Sequence, residues 1–441
     1  MSLRKPSLSF SQIVNMNVGF FGIQYSFGLQ QSAVNPIYDF LGASPDEIPL
    51  LNLAGPVTGL LIQPFIGALS DSTWHPKWGR RKPFFFIGAL LCSICLLLYP
   101  FSSSLWMAAS LLWILDAGNN TAMEPYRAFV ADKLNEEQQP TGFQMQSFFT
   151  GFGQTLANLS LFIFPMIFIG KTGSLPTWVY ASFFLGAVCS IGSIWWSMHT
   201  TSEIEPTAEE LAEIRARKSS VLESIFEIFH AIGEMPKVMW QLALVYLFQW
   251  YALFCYWQNS SKSIALSVWN ATPKDNPELY EQAVSWTGLV NGWYNIVTFL
   301  SALALAGFAK KYGAKSVHMI CLILAAAGFL AFPHIENKNL LFFAISGFGI
   351  GWASMMGIPY LLVVSDIPKE RYGVYMGIIN MMIVIPMIIQ NLSFGYILKH
   401  FLDNDPRNAI TFAGALLAVA ALATAFIKPS PSKQSACVSS V

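Results

Sequence analysis

The chain has 441 residues, of which 54% are hydrophobic and 11% are charged, and its 25 basic residues balance 25 acidic ones. Soluble domains carry about 25% charged residues, so this chain has too few charges to cover a water-facing surface. Its zero net charge provides no basic surface for nucleic acid. Five of the six cysteines fall inside apolar blocks, which predicts neither a disulfide framework nor a metal site.

Long apolar blocks predict an all-α polytopic membrane protein. Most blocks run close to the roughly 20 residues needed to cross the hydrocarbon core. In lipid each block must be helical, because an unpaired backbone group costs several kcal/mol. The twelve predicted spans are residues 11–34, 49–70, 83–101, 105–131, 141–169, 177–198, 240–262, 283–308, 315–333, 339–365, 372–398 and 408–427.

A charged segment divides the spans into two groups of six. The predicted domains are an N-terminal half (1–198), an interhalf linker (199–239) and a C-terminal half (240–441). Within the linker, Thr207 and Glu210 fit a capping box that opens a helix through Ala216. Residues 224–232 resemble a segment lying on the membrane surface. A regulatory docking site is the alternative to a plain linker.

The loop charges predict the orientation. If both termini lie inside, 19 of the 25 Lys and Arg residues fall in inner segments, and six fall in outer ones. Cytoplasmic loops carry such an excess of Lys and Arg, so both termini are expected in the cytoplasm. The N-terminus lacks a signal-peptide pattern, and the short loops favour a bacterial inner membrane.

The two halves contain a weak internal repeat. Span 4 has Pro125-Tyr126 followed by Asp132, and span 10 has Pro359-Tyr360 followed by Asp366 at the same spacing. The loops after spans 2 and 8 also correspond, with Asp71 and Gly79-Arg80-Arg81-Lys82-Pro83 in the first and Lys310, Lys311, Gly313 and Lys315 in the second. Paired halves with a binding site at the midplane between them are a recurring transporter design.

Span 4 is the one span in which we expect charged residues away from the ends, namely Asp116, Glu124 and Arg127. Asp116 lies about 16 Å along the helix from Leu105 at about 1.5 Å per residue, near the middle of the membrane. The repeat has Ile350 at the corresponding place. Intramembrane carboxylates often mark proton relays, so Asp116 is a candidate proton carrier. A hydrogen-bonded Asp that holds helices together is the alternative.

Other charged residues are expected to be structural or gating. Glu124 and Arg127 are three residues apart, which allows them to pair. The loop cations can pair with carboxylates or helix ends. This predicted gating or structural set comprises Asp71, Arg80, Arg81, Glu124, Arg127 and Asp132.

Uncharged polar residues form stripes on spans 1, 4, 5 and 8, with further amides on spans 7 and 11. Amides both donate and accept hydrogen bonds, as a polyhydroxylated ligand requires, and Trp rings offer sugars an apolar face. The predicted substrate-binding residues are Gln24, Gln31, Asn119, Asn120, Gln154, Gln249, Trp250, Asn295 and Asn391. Interhelical hydrogen bonding is the alternative role for each amide.

Several motifs resemble the plant sucrose/proton symporters and their animal and bacterial relatives, the glycoside/cation symporter type of the major facilitator superfamily. The motifs are Gly22-Ile-Gln24 through Leu29-Gln30, Gly55-Pro56 through Gly59, Gln63-Pro64, Ser70-Asp71, Gly79 to Pro83, Leu115-Asp116-Ala-Gly-Asn119-Asn120, Arg127 to Asp132, and Met376-Gly377 with Asn380 and Ile385-Pro386. The resemblance implies a major facilitator fold, proton symport and a glucoside substrate such as sucrose or maltose. It also implies that Asp116 couples proton and sugar.

The prediction is therefore a proton-coupled importer of a disaccharide or glucoside, working by alternating access. An uncoupled sugar facilitator or exporter of the same fold is one alternative, and a membrane sensor without flux is another. No nucleophile–base pair stands in the spans, so no enzyme is expected. The expected partners are a sugar, a proton and membrane lipid, with no metal, organic cofactor or nucleic acid, in a protein that works as a monomer.

Overall fold

The computed structural model describes residues 5–135, 137–216, 230–363 and 372–428. This part of the chain contains twelve helices of 17 residues or more. They are α1 (Phe10–Phe40), α2 (Ala54–Asp71), α3 (Lys82–Leu98), α4 (Leu105–Lys133), α5 (Gln139–Ile167), α6 (Thr177–Thr200), α7 (Lys237–Trp269), α8 (Pro277–Tyr312), α9 (Ala314–Ala331), α10 (Leu341–Val363), α11 (Tyr372–Phe401) and α12 (Pro406–Ala425).

The remaining elements are short. Two helices cover Ile48–Leu51 and Ala208–Ala216, and 3₁₀ turns follow α3 and α9 at Tyr99–Phe101 and Phe332–His334. A two-stranded antiparallel hairpin joins β1 (Lys171–Thr172) to β2 (Leu175–Pro176), with Lys171 opposite Pro176. These elements connect the long helices and contribute little to the core.

Each of the twelve predicted spans overlaps one long helix, in chain order. Eight of the long helices are apolar and long enough to cross a membrane by length and composition alone. The other four, α1, α4, α5 and α8, each carry one of the predicted polar stripes. Polar residues that face other helices or a cavity lower the mean hydropathy of a span without preventing it from crossing.

The predicted ends of two spans are wrong in a way that matters. Helix α1 continues to Phe40 instead of ending near residue 34, and α7 continues to Trp269 instead of ending near residue 262. Asp39 and Lys262 therefore lie within long helices, and both are buried. The expectation that span 4 alone carries a charged residue away from its ends is wrong for α7.

Local sequence signals explain several helix starts. Ser9 and Gln12 form a capping box at α1, while Ser104 and Asn276 accept backbone N–H groups at α4 and α8. Such caps satisfy donors that have no partner within the helix. The predicted capping box of the linker is confirmed: Thr207 N donates to Glu210 at 2.8 Å, and Glu210 N donates to Thr207 at 3.2 Å. Most of the predicted surface segment 224–232 lies outside the described residues.

The long helices form the two six-helix halves of the fold. In the first half α1 packs against α5 and α6, and α4 packs against α2 and α3. In the second half α7 packs against α11 and α12, and α9 packs against α10 and α12. The main contacts between halves are α5 with α8 and α11 with α2. Gly288 allows the first of these, since a Cβ there would lie 2.8 Å from the Asn158 carbonyl oxygen.

The halves are joined at one end of the bundle, which we call the closed end. It contains the C-terminal end of α1, the N-terminal end of α8, and the connection from α1 to α2. All hydrogen bonds and ion pairs found between described residues of different halves lie there, at the level of Ser32 or beyond. The opposite end, which contains the first and last described residues, has none between described residues. With the predicted orientation, the structure is closed to the outside.

Candidate functional site

Asp116 lies in the middle of α4, and its side chain is buried, with 2% of the residue exposed. Gly55 of α2 faces it, so that a Cβ on Gly55 would lie 3.5 Å from Asp116 Oδ2. The amide of Gln30 approaches the carboxyl group, although Gln30 Nε2 completes no well-aligned hydrogen bond. Among the described residues, no Lys, Arg or His nitrogen lies within 4 Å of Asp116. The carboxyl group is therefore buried with no counterion from the described part of the chain.

The two amides that follow Asp116 hold helices together. Asn119 donates to Ser26 at 3.0 Å and accepts from the Cys92 thiol at 3.1 Å. Asn120 donates to Thr58 at 3.1 Å and accepts from Gln63 at 2.6 Å. Both residues are buried, so their hydrogen-bonding groups already have protein partners in this state.

The stripes of α1 and α5 meet at one pair of amides. Gln154 Nε2 donates to Gln24 Oε1 at 3.0 Å. Gly28 allows the close approach of these helices, because a Cβ there would lie 2.7 Å from Ala157 Cβ. Gln31 is partly exposed and forms no hydrogen bond with another described residue, so it remains free to meet a ligand.

The α7 residues have the least satisfied polar groups of the predicted set. Gln249 is fully buried, and no described residue offers a hydrogen-bond partner to its Nε2 or its Oε1. The indole N–H of the neighbouring Trp250 is also without a partner. Trp352 of α10 packs edge-on against both Trp250 and Trp257, with ring centroids 5.6 and 5.5 Å apart. Buried polar groups are normally paired, so an unpaired set such as this one is a candidate for ligand binding.

The amides of α8 and α11 lie in hydrogen-bonded networks. Asn295 donates to the Asn291 carbonyl at 2.9 Å. Asn391 accepts from Gln258 at 2.7 Å and donates to the Asn52 carbonyl of the other half at 3.4 Å. Gln390 donates to Gln258 at 2.8 Å, and its own Oε1 is unpaired. The stripe analysis missed Gln258, which lies eight residues after Trp250 on α7, and Gln390, which is adjacent to the predicted Asn391 on α11.

A chain of hydrogen bonds crosses between the halves above these groups. Ser32 Oγ donates to Asn158 at 2.6 Å, and Asn291 Nδ2 donates to Ser32 at 3.0 Å. Tyr256 in turn donates to Asn291 at 2.9 Å. All four residues are buried. This chain links α1 and α5 of the first half to α7 and α8 of the second half.

The predicted loop cations form an ion-pair network at the opposite end of the first half. Asp71 Oδ1 accepts from Arg80 and Arg81 at 2.6 Å each, and Arg81 Nε lies 2.8 Å from Asp132 Oδ2. Burial lowers the pKa of Arg81, but the adjacent Asp132 and Asp71 outweigh it and raise the pKa above its usual value. The structure thus brings four members of the predicted gating or structural set together.

Glu203 completes this network and was missed by sequence reasoning. Its carboxylate accepts the backbone N–H groups of Arg80, Arg81 and Lys82 at 2.7, 2.8 and 2.9 Å. These amides belong to the start of α3, where a negative charge is favoured. The sequence shows Glu203 only as an acidic residue just after span 6. Nothing in the sequence connects it to the loop before α3, which lies more than a hundred residues earlier.

The other two members of the gating set do not meet. Glu124 is partly buried and Arg127 is exposed, and no ion pair within 4 Å forms between them. The expected pairing of Glu124 with Arg127 is therefore wrong for this state. Within the repeat, Asp366 lies outside the described residues.

Comparison with known proteins agrees with this architecture. The sequence matches the family model "Major Facilitator Superfamily" over residues 16–391. The sucrose transport protein SUC4 of Arabidopsis thaliana is 25% identical over 93% of this chain and 90% of its own length. The sucrose transport protein SUT5 of Oryza sativa subsp. indica is 22% identical over 85% of this chain and 79% of its own length.

Solved structures show the same fold at low sequence identity. The nucleoside transporter NupG has a TM-score of 0.70 and 14% identity, covering 95% of this chain and 100% of its own. The inward-open xylose transporter XylE from E. coli has a TM-score of 0.65 and 15% identity, covering 96% and 97%. Together with the twelve helices and the family match over most of the chain, these likenesses confirm the predicted fold and resemblance: this protein belongs to the Major Facilitator Superfamily.

Proposed function

We propose that the protein imports a disaccharide or glucoside together with a proton, by alternating access. The observation that carries this proposal is the Asp116 carboxyl group, which is buried in the middle of α4 with no Lys, Arg or His nitrogen within 4 Å among the described residues. A carboxyl group in this setting binds and releases a proton more readily than one held by an arginine, because no fixed positive charge stabilises its ionised form.

The substrate proposal is supported by polar groups on α7 and α1 that have no partner among the described residues. Gln249 and Trp250 present donors and an acceptor that no described residue satisfies, and Gln31 is partly exposed. Sugar hydroxyls both donate and accept, so they match this mixture, and indole faces suit the apolar face of a sugar ring. Several relatives carry the name sucrose transport protein.

In the proposed cycle, the cavity opens outward and Asp116 takes up a proton. The neutral carboxyl then donates a hydrogen bond to a sugar hydroxyl. The loaded protein closes outside and opens inside, both ligands leave, and the empty carrier returns. Coupling in this cycle requires that sugar bind to the protonated form alone, so that each sugar crosses the membrane with one proton.

A panel of labelled disaccharides and glucosides in proteoliposomes tests the proposal. We expect accumulation of at least one sugar when the lumen is made alkaline and negative, and only equilibration when the gradient is collapsed by an uncoupler. Equilibration unaffected by the gradient would indicate the uncoupled facilitator instead. Absence of flux for every sugar, in protein that binds sugar, would favour a sensor. The cellular membrane and the orientation of the termini stay predictions, and protease access to the linker in intact cells tests the latter.

A further inference from the structure

A buried ionic cluster joins the two halves at the closed end. Lys262 Nζ of α7 lies 3.1 Å from Asp39 Oδ1 of α1, and the side chains are 5% and 2% exposed. Tyr280 of α8 donates its hydroxyl to the second carboxylate oxygen, Asp39 Oδ2. One half thus contributes the acid, and the other contributes the cation and the phenol.

A second ion pair crosses between the halves nearby, but its environment differs. Lys399 Nζ lies 3.1 Å from Asp46 Oδ2, and the lysine and aspartate side chains are 59% and 17% exposed, so water reaches the pair from the lysine side. An exposed pair contributes little, because water solvates either charge when the pair separates. In a buried pair, loss of one partner leaves the other charge without compensation. Asp39 and Lys262 must therefore stay paired while the closed end is closed.

A cavity of about 400 Å³ lies directly against this cluster. Asp39 and Lys262 both line it, together with the charged groups Lys274, Asp403, Asp405 and Arg407. If α1 and α7 moved apart here, each freed charge would face a cavity whose lining includes other charged side chains. The cluster is paired and buried in this state, and the adjacent cavity gives water a route to its charges when the helices separate.

We propose that Asp39, Lys262 and Tyr280 are gating residues of the transport reaction, paired when the closed end is shut and separated when it opens. We call this cluster the closed-end latch. The proposal rests on the alternating access of the proposed function, but not on the identity of the sugar or on proton coupling. Opening of the closed end then requires that the carboxylate and the ammonium be hydrated together.

The latch can be tested by measuring the distance across the closed end without any transport assay. Spin labels on Lys171→Cys and Glu336→Cys, exposed positions in different halves, report separation of the halves by pulsed electron resonance. The background has its six native cysteines replaced by alanine. In Asp39→Asn, Lys262 is left as a lone buried charge, so we expect the population with the longer distance to rise more than about tenfold.

Two further variants separate a charge latch from simple packing. In the double variant Asp39→Asn with Lys262→Met no charge remains, and we expect the distance distribution to return towards the closed one. Asp46→Asn, which breaks the exposed pair, serves as the matched control and should leave the distribution unchanged.

An unchanged distribution in Asp39→Asn would overturn the proposal. So would equal opening in the single and double variants, because that result indicates lost packing and not an unpaired charge. A protein that shows the expected distances but transports no sugar would contradict the proposed function and leave the latch standing.

Discussion

Replacement of Asp116 by Asn changes one atom in a buried side chain and removes its capacity to carry a proton. Asn has nearly the same shape, and neither Gly55 nor Gln30 imposes a contact that it cannot accept. No ion pair is broken, since no cation lies within 4 Å among the described residues. We therefore expect Asp116→Asn to fold with a stability within about 1 kcal/mol of the parent.

The expected effect on transport is large. A proton that moves inward gains about 2.3 kcal/mol per 100 mV of membrane potential. Since about 1.4 kcal/mol corresponds to a factor of ten, that energy sustains roughly fiftyfold accumulation of a sugar carried with one proton. Without a titratable group at position 116, the potential no longer acts on the sugar, and the accumulation ratio should fall to about one.

The assay is uptake of labelled sugar into proteoliposomes under an imposed potential and pH gradient, paired with exchange of sugar at equal concentrations on both sides. Asp116→Asn should lose accumulation and retain exchange. Glu124→Gln is the matched control, because it neutralises the other carboxyl group of α4, which is only partly buried. Persistent potential-driven accumulation in Asp116→Asn, with Glu124→Gln also active, would refute the assignment of the proton site.

Four further predictions follow from particular contacts. Gln249→Leu should stabilise the protein by about 1 kcal/mol in thermal unfolding, because it removes two unpaired buried polar atoms. The same change should raise the KM for sugar. A lower melting temperature would contradict the claim that Gln249 is unpaired. Gly395→Ala should prevent closure and trap the closed end open, since the new Cβ would lie 2.2 Å from the Asp46 carbonyl oxygen. Gly377→Ala on the same helix is the control, because a Cβ there would meet no atom within 4 Å. Equal transport by the two variants would exclude a role of Gly395 in closure. Glu203→Ala should lower the free energy of unfolding by about 1–3 kcal/mol, as three backbone amides lose a charged acceptor, which denaturant titration measures. Burial raises the pKa of Asp46, but hydrogen bonds from Ser44 and Lys399 outweigh it and lower the pKa below its usual value. The contribution of ionised Asp46 to stability is present above the pKa of the unfolded chain, near 3.9, and is lost as the pH falls through the lower pKa of the folded protein. Asp46→Asn should therefore leave the pH profile of uptake between about 5 and 8 unchanged.

The sequence alone was sufficient for the number, order and approximate limits of the helices. Hydrophobic length is a local property, and the membrane requires each such block to be helical. The same argument identified Asp116, because a carboxyl group in the middle of an apolar span is conspicuous without knowledge of its neighbours. The capping box at Thr207 and Glu210 was equally visible, since it depends on residues three positions apart.

The roles of the polar residues were beyond the sequence. Asn119 and Gln249 look alike in their stripes, yet the first has protein partners on both its amide atoms and the second has none. That difference depends on which helix faces each side chain, and helix rotation within a bundle is set by packing against neighbours that are distant in sequence.

What the sequence determined by itself was therefore a twelve-helix membrane protein with a central carboxyl group, because these features depend on the composition of single segments. Only the tertiary structure decided which charges are partners. Asp39 and Lys262 stand 223 positions apart, and each looks like an ordinary residue near the end of a span. They become a buried pair because α1 and α7 run two turns or so further than hydropathy indicates and meet where the halves close.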